Sequence, residues 1–472
     1  MKALMEVTPT PEQLALFSRV RPGVEVIRGA AGSGKTTTAV LKLRQAVAFF
    51  LSRMKRQHDK TQLRVLILTF NRTLRGYVAE LAAKQFEQGS TISLEISTFS
   101  KWAMGLLGSV NLLDEKVAHR KLRQLGAGLP FSDAFIIDEV EYVLGKFLPD
   151  DLGAYLTVRR DGRGNTPRME KAARELLMAT VILPYLEYKL EAEKLDWSDL
   201  AVRVATANLA SYDVVVVDET QDFSANQVRA VMAQMASEHT ATFVLDSAQR
   251  IYARSFTWQE VGVTVRPENS FRLSTNYRNS KEIAQFAASI LEGIPIDDDG
   301  SMPDFKSAAR SGTLPVVLEG KYSGQLRFAL NFIKDEVDLN LESVAFLHPK
   351  GYGWFDGEGG LRATLAREKL PYVEIARNNE WPQGSENIAL STLHSAKGLE
   401  FDHVFILGLN AEVLSIEEVG ATNEEEKLVT LRRLLAMGVG RARKTVVIGY
   451  KPEDKPELAD FFAAGKYEKK TV

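Results

Sequence analysis

The chain has 472 residues, 45% apolar and 25% charged, with 59 Lys+Arg against 61 Asp+Glu, a formal net charge of −2 and no cysteine. That is enough chain for about three domains and enough apolar residue for sizeable cores. It excludes disulfides, thiolate metal sites and cysteine nucleophiles, and it argues against a globally basic protein that coats nucleic acid.

The elements read as follows in chain order. Thr10-Pro11-Glu12-Gln13 has the residues of a helix start, with Pro in the first turn and Gln three places after Thr. An apolar strand at 24–27 runs into Gly29-Ala30-Ala31-Gly32-Ser33-Gly34-Lys35-Thr36 and then a helical pattern through 51. A strand follows at 65–69, then a mostly helical stretch at 106–197 with little strand signal. Further strands are expected at 214–217, 242–245, 315–318, 343–347, 388–390 and 403–407, with a helix at 325–337. Several strands are Val/Ile-rich and apolar throughout, the pattern of strands covered on both faces, and helices separate many of them, as in βαβ units. The expected class is therefore α/β with parallel sheets: a first α/β domain at 1–105 and 198–275, interrupted by a helical insertion at 106–197, and a second at 276–472. Residues 294–312 carry Pro, Gly and the acidic run Asp297–Asp299, and read as a surface segment of the second domain. No run approaches 18 apolar residues and 1–7 has no apolar signal core, so a cytoplasmic protein without a membrane partner is expected.

The segment 29–36 fits GxxxxGK[ST] in its strand–loop–helix context. Gly29, Gly32 and Gly34 let several backbone N–H groups, including those of Ser33 and Thr37, converge on phosphate at a helix start. Lys35 would reach the β- and γ-phosphates, and Thr36 would hold Mg²⁺. The strand at 214–217 ends in Asp218-Glu219-Thr220-Gln221-Asp222. Two acids delivered at the carboxyl end of a buried strand suit metal binding by Asp218 and activation of water by Glu219. These residues favour nucleotide hydrolysis with Mg²⁺ over transfer to a substrate hydroxyl.

Asp218–Asp222 resembles the DExQD box of superfamily 1A helicases of the UvrD/Rep type, and further motifs appear in that family's order. Gln13 resembles the adenine-reading Q motif. Thr69-Phe70-Asn71 resembles motif Ia and Thr98 the following TFH-type segment, both of which touch single-stranded nucleic acid. Leu245-Asp246-Ser247-Ala248-Gln249-Arg250-Ile251-Tyr252 resembles motif III, where Gln249 would sense the γ-phosphate and Tyr252 would line the strand path. Trp258 is read either as the displaced base-stacking aromatic or as core. Asn276-Tyr277-Arg278-Asn279-Ser280 resembles motif IV, which implies that Tyr277 stacks on adenine and Arg278 reaches the γ-phosphate. The segment 391–401 is close to motif V, placing Thr392 and His394 near nucleic-acid phosphates and Glu400 near the nucleotide sugar. The segment 432–444 resembles motif VI with Arg441 as arginine finger. There Ala436 and Gly440 replace the usual Tyr and Thr, and Gly440 is expected to loosen the finger.

The resemblance implies two RecA-like domains, 1A and 2A, with a helical 1B insertion at 106–197. Only 377–387 occupy the place of the family's 2B insertion, so a short form lacking most of 2B is expected. It further implies an ATP-dependent translocase or helicase of 3′→5′ polarity, acting on single-stranded or partly duplex nucleic acid, DNA favoured over RNA. A partner such as a nuclease or a repair or defence subunit would suit the small motor. The alternative is an ATP-gated nucleic-acid-sensing subunit without processive unwinding. Arg159, Arg160, Arg163 and Arg168 form either a phosphate-contacting patch or a solvated loop.

Overall fold

In this computed structural model the described residues are 13–14, 16, 20, 22–29, 33–57, 62–69, 91–158, 169–246, 256–273, 275–294, 308–349, 356–357, 359–375, 386–396, 399–411 and 424–472, without the side chains of 36, 37, 246, 277, 309 and 424–427.

The first sheet has six strands: β1 (Gly23–Gly29), β2 (Leu63–Thr69), β3 (Ile92–Thr98), β4 (Tyr212–Val217), β5 (Met235–Asp246) and β6 (Ser270–Leu273). Their order is β3-β2-β4-β5-β1-β6, and every pairing is parallel. β2 and β4 are buried almost throughout, which explains their unbroken apolar runs. Helix α1 (Lys35–Gln57) leaves β1 through the glycine loop and buries Ala39, Val40, Leu43, Ala46, Val47 and Phe50, a stripe of helical period. It is also pinned electrostatically. Lys42 Nζ lies 2.8 Å from Glu25 on β1 and 4.7 Å from the centre of the Phe271 ring, and both charged side chains are buried.

Between β3 and β4 the described chain is helical: α2 (Phe99–Leu107), α3 (Glu115–Gly126), α4 (Asp133–Lys146), a 3₁₀ segment (Pro149–Leu156), α5 (Lys171–Leu177), a π turn (Met178–Ile182), α6 (Leu183–Glu191) and α7 (Trp197–Ala205). Asp114, Ser132 and Asp196 cap α3, α4 and α7, and Asp196 with Asp199 makes a full capping box. Lys189 reaches both of these carboxylates, at 2.8 and 2.7 Å, and so ties α6 to α7. The block has its own core around Leu122, Ile136, Val143, Tyr155, Val181 and Tyr185. It docks on α8 (Ala225–Ala233), where Asn226 Nδ2 donates to Leu144 O and Phe147 O at 2.9 Å each.

After β6 comes a two-stranded pair, β7 (Asn276–Ser280) with β8 (Ala308–Arg310), and helix α9 (Lys281–Ile290). The second sheet then assembles from β9 (Val316–Glu319), β10 (Val344–His348), β11 (Tyr372–Ile375), β12 (Ile388–Thr392), β13 (Phe401–Ile406), β14 (Ala442–Tyr450) and β15 (Glu468–Thr471). Its order is β11-β12-β10-β13-β14-β9-β15, again parallel throughout. Helices α10 (Tyr322–Glu336), α11 (Leu361–Arg367) and α12 (Glu424–Val439) accompany it. Arg432 is buried on α12, where Nε donates to Ile290 O at 2.7 Å and closes the carboxyl end of α9. Two parallel sheets of six and seven strands make the molecule α/β with two RecA-like domains. No described helix is long and apolar enough to cross a membrane.

Candidate functional site

The first group of polar residues lies at the carboxyl ends of β1 and β4, where parallel sheets place ligands. Gly29 ends β1 in a close approach. A Cβ there would stand 2.4 Å from Ser33 Oγ and 3.0 Å from Leu273 O, so no larger residue fits. Gly34 has φ +76°, a left-handed conformation that glycine adopts without strain. The Gln13 side chain closes over it, with Nε2 donating to Gly34 O at 3.2 Å and to Thr38 Oγ1 at 2.9 Å. Lys35 begins α1, and its ammonium rests 2.9 Å from Gly29 O, across the mouth of the loop. Ser33 Oγ is buried with no hydrogen-bond partner among the described residues. A loop at a helix start with a lysine laid across it and an unsatisfied buried hydroxyl suits a phosphate ligand.

Asp218 and Glu219 follow β4 and are both buried. Asp218 Oδ1 accepts the Glu219 N–H at 2.9 Å. Glu219 has φ +52°, rare for a residue with a side chain and costing on the order of 1–3 kcal/mol where it occurs. The turn is held by Thr220 Oγ1 donating to Val217 O at 3.0 Å, and Gln221 Nε2 donates to the Glu219 carboxylate. A carboxylate here and a hydroxyl at Thr36 are the oxygen donors a hard cation such as Mg²⁺ takes.

The second group belongs to the second sheet and the β7–β8 pair. Arg278 is ion-paired to Glu400, and its Nη1 lies 3.5 Å from Gly440 O. Burial alone would raise the pKa of the Glu400 carboxyl. Arg278, with Arg443 and Arg441 nearby, outweighs that and holds it below the usual carboxylate range. Arg441 is 2% exposed, and its Nε donates to Met437 O at 3.2 Å. The expected looseness at Gly440 is not what the structure has. Gly440 N donates to Ala436 O at 2.9 Å, and Gly440 O receives Asn279 Nδ2 at 3.2 Å. Side-chain donors from β7 supply what the glycine lacks. Arg310, from the segment read only as surface, also enters this group, donating to Arg278 O at 3.0 Å and to Arg443 O. Asn279 and Arg310 went unnoticed among the site residues because the partners that tie them to the Arg441 turn, Ala442 and Arg443, lie 163 and 133 positions away in sequence.

The residues expected along a strand are placed less uniformly. Thr69 and Thr98 are register partners at the carboxyl ends of β2 and β3. Both line a cavity of about 830 Å³ beneath the helical block. Its wall includes Glu115, Asp133, Asp138, Glu141 and Asp196 against His119 and Arg123, a sign of charge unsuited to phosphates. Trp258 packs against Phe243 at 5.0 Å and Phe256 at 5.6 Å between ring centres, the core reading of the two its sequence allows. Thr392 ends β12 and is turned inward, donating to Ser395 Oγ at 2.9 Å and accepting Ser395 N at 3.0 Å, whereas His394 is exposed. Gly32, Phe70, Asn71, Gln249, Tyr252 and the arginines at 159–168 lie outside the described residues, as do the side chains of Thr36, Thr37 and Tyr277.

Comparison with known proteins adds a separate line of observation. An AAA domain family model matches residues 12–255, and a UvrD-like helicase C-terminal domain model matches residues 361–453. A probable DNA helicase of Mycoplasma pneumoniae is 22% identical over 89% of this chain and 79% of its own length. The ATP-dependent DNA helicase Rep of Buchnera aphidicola is 44% identical over 18% of this chain and 11% of its own, and DNA helicase II of Escherichia coli is 42% identical over 19% and 12%.

Proposed function

Since this chain belongs to the UvrD/Rep-like superfamily 1A helicases, ATP-hydrolysing enzymes, we propose that it is a DNA motor that moves 3′→5′ along a single strand and opens partly duplex DNA. One observation carries the reading. Polar groups suited to a nucleotide are built in two separate places, Lys35, Asp218 and Glu219 with the first sheet, Glu400 and Arg441 with the second, joined there by Arg278 from the β7–β8 pair. In this reading domain 1A comprises 1–105 and 198–275, domain 1B 106–197, and domain 2A 276–472 with little of 2B.

The loop N–H groups and Lys35 bind the phosphates, while Gln13 and Tyr277 flank the adenine and Glu400 the sugar. Thr36 and Asp218 hold Mg²⁺, which when bound neutralises phosphate charge. Glu219 orients water and accepts its proton. Gln249, Arg278 and Arg441 answer to the terminal phosphate, so the full set of charges is assembled only when the two domains close. Opening and closing would move two grips along the strand. We assign one grip to Phe70, Asn71 and Tyr252, the other to His394, the exposed member of its segment. A nuclease or another repair or defence subunit is the partner we propose for a motor of this size.

The test is ATP turnover measured with single-stranded DNA, duplex DNA and single-stranded RNA. Single-stranded DNA is expected to stimulate most, and Lys35→Ala to lower the stimulated rate by about 10²-fold or more. Turnover indifferent to every oligonucleotide would remove the motor. Stimulated turnover without directional stepping on a fluorophore-labelled strand would leave an ATP-gated sensor instead.

A further inference from the structure

Arg441 sits in the short turn that leaves α12 and enters β14, preceded by a residue with no side chain to anchor it. One side-chain amide holds the backbone on both sides of it. Asn279 Nδ2 donates to Gly440 O at 3.2 Å and to Ala442 O at 2.6 Å. Two carbonyl acceptors admit only the NH₂ end of an amide. The other end is set as well, because Asn279 Oδ1 accepts Asn276 Nδ2 at 3.0 Å. Asn276 Oδ1 in turn accepts the N–H groups of Arg278 and Asn279 at 3.1 Å each, which shapes the turn bearing Arg278. Asn276 and Asn279 are 1% and 2% exposed, and the bonds of Asn279 Nδ2 to Ala442 O, of Asn276 Nδ2 to Asn279 Oδ1 and of Asn279 N to Asn276 Oδ1 are made away from water, where a lost partner costs most. Arg310 adds a second tie between the same two segments.

We infer that Asn279 is a positioning residue for ATP turnover. It clamps the carbonyls flanking Arg441 and sits next to Arg278 in sequence, so the two guanidiniums move as one body with the second domain. The inference rests on the proposed ATPase reading and adds to it the device that aims the finger. It also accounts for a glycine where flexibility would be harmful. Removing the clamp lets the turn drift, and a drift of about 1 Å in a group that meets the reacting phosphate costs about a hundredfold in rate.

The experiment is a double-variant cycle in the DNA-stimulated ATPase of the full chain, using Asn279→Ala, Arg441→Ala and both together. Asn279→Ala is expected to lower kcat about a hundredfold with KM for ATP changed less than about threefold. Asn279→Asp, which sets a carboxylate against two carbonyls, should be as damaging. In the Arg441→Ala background Asn279→Ala should cost nothing further, because it acts through Arg441. Penalties that multiply in the double variant, or parental kcat in Asn279→Ala, overturn the inference. A parent with no DNA-stimulated turnover sinks the functional reading instead. The clamp is then judged by hydrogen exchange: amides of 438–443 should exchange faster in Asn279→Ala with protection elsewhere unchanged, and equal protection overturns it.

Discussion

Arg441→Ala is expected to lower DNA-stimulated ATP turnover by about 10³–10⁵-fold, the range seen when an arginine finger is removed. That corresponds to about 4–7 kcal/mol of transition-state stabilisation. The guanidinium is already desolvated at 2% exposure, so its attraction for a developing phosphate charge would act in a medium of low dielectric, where such terms are largest. Nucleotide affinity should change little, because the phosphate-binding loop around Lys35 is built on the other sheet. Arg441→Lys should recover only part of the rate, since an ammonium cannot reproduce the planar fork of a guanidinium. Titration of a fluorescent ATP analogue alongside steady-state turnover checks both parts. A variant turning over within tenfold of the parent would take Arg441 out of the chemistry.

Lys189→Met should produce the largest loss of stability, about 3 kcal/mol at neutral pH, the lower end for a broken buried ion pair because Asp199 keeps some water contact. Lys189 is buried with two carboxylates on its ammonium and the Tyr185 ring 5.2 Å away. Burial pushes both carboxyls up. Lys189 overcomes this at Asp196, which is held below the usual range, while Asp199, beside the Asp196 charge, stays above it. The parent's Asp196 therefore contributes stability that is present above about pH 3.9 and is lost as pH falls through its lower folded value. Without the ammonium both carboxyls rise, so the variant's penalty is full at neutral pH and shrinks on acidification as they take up protons. Chemical denaturation followed by tryptophan fluorescence, to which Trp197 at the start of α7 contributes, reads the difference. A penalty that is constant from pH 7 to pH 4 would assign it to packing.

The strands that carry the first polar group were legible because they are short, apolar and Val/Ile-rich, and because glycine, lysine and paired acids follow them directly. β3 was less distinct: it runs Ile-Ser-Leu-Glu-Ile-Ser-Thr, is half-buried along most of its length, and shows no apolar run. The helical block was legible as helix through its length and poverty in strand formers. Its docking was not, since the Asn226 contacts span about 80 positions. The same distance effect hid Asn279 and Arg310, whose meaning depends on which carbonyls the folded chain brings to them. Gly440 shows the limit of arguing flexibility from residue type: a backbone free by itself is fixed by donors from elsewhere.

The Arg278–Glu400 pair sets a threshold for whatever approaches it. Because the guanidinium already has a carboxylate partner, a visiting anion gains only the difference between itself and the resident one. Chloride or a lone carboxylate offers no advantage in that exchange, whereas a terminal phosphoryl group brings more charge and three acceptor oxygens. A pair of this kind is expected to favour highly charged visitors over ambient monovalent anions.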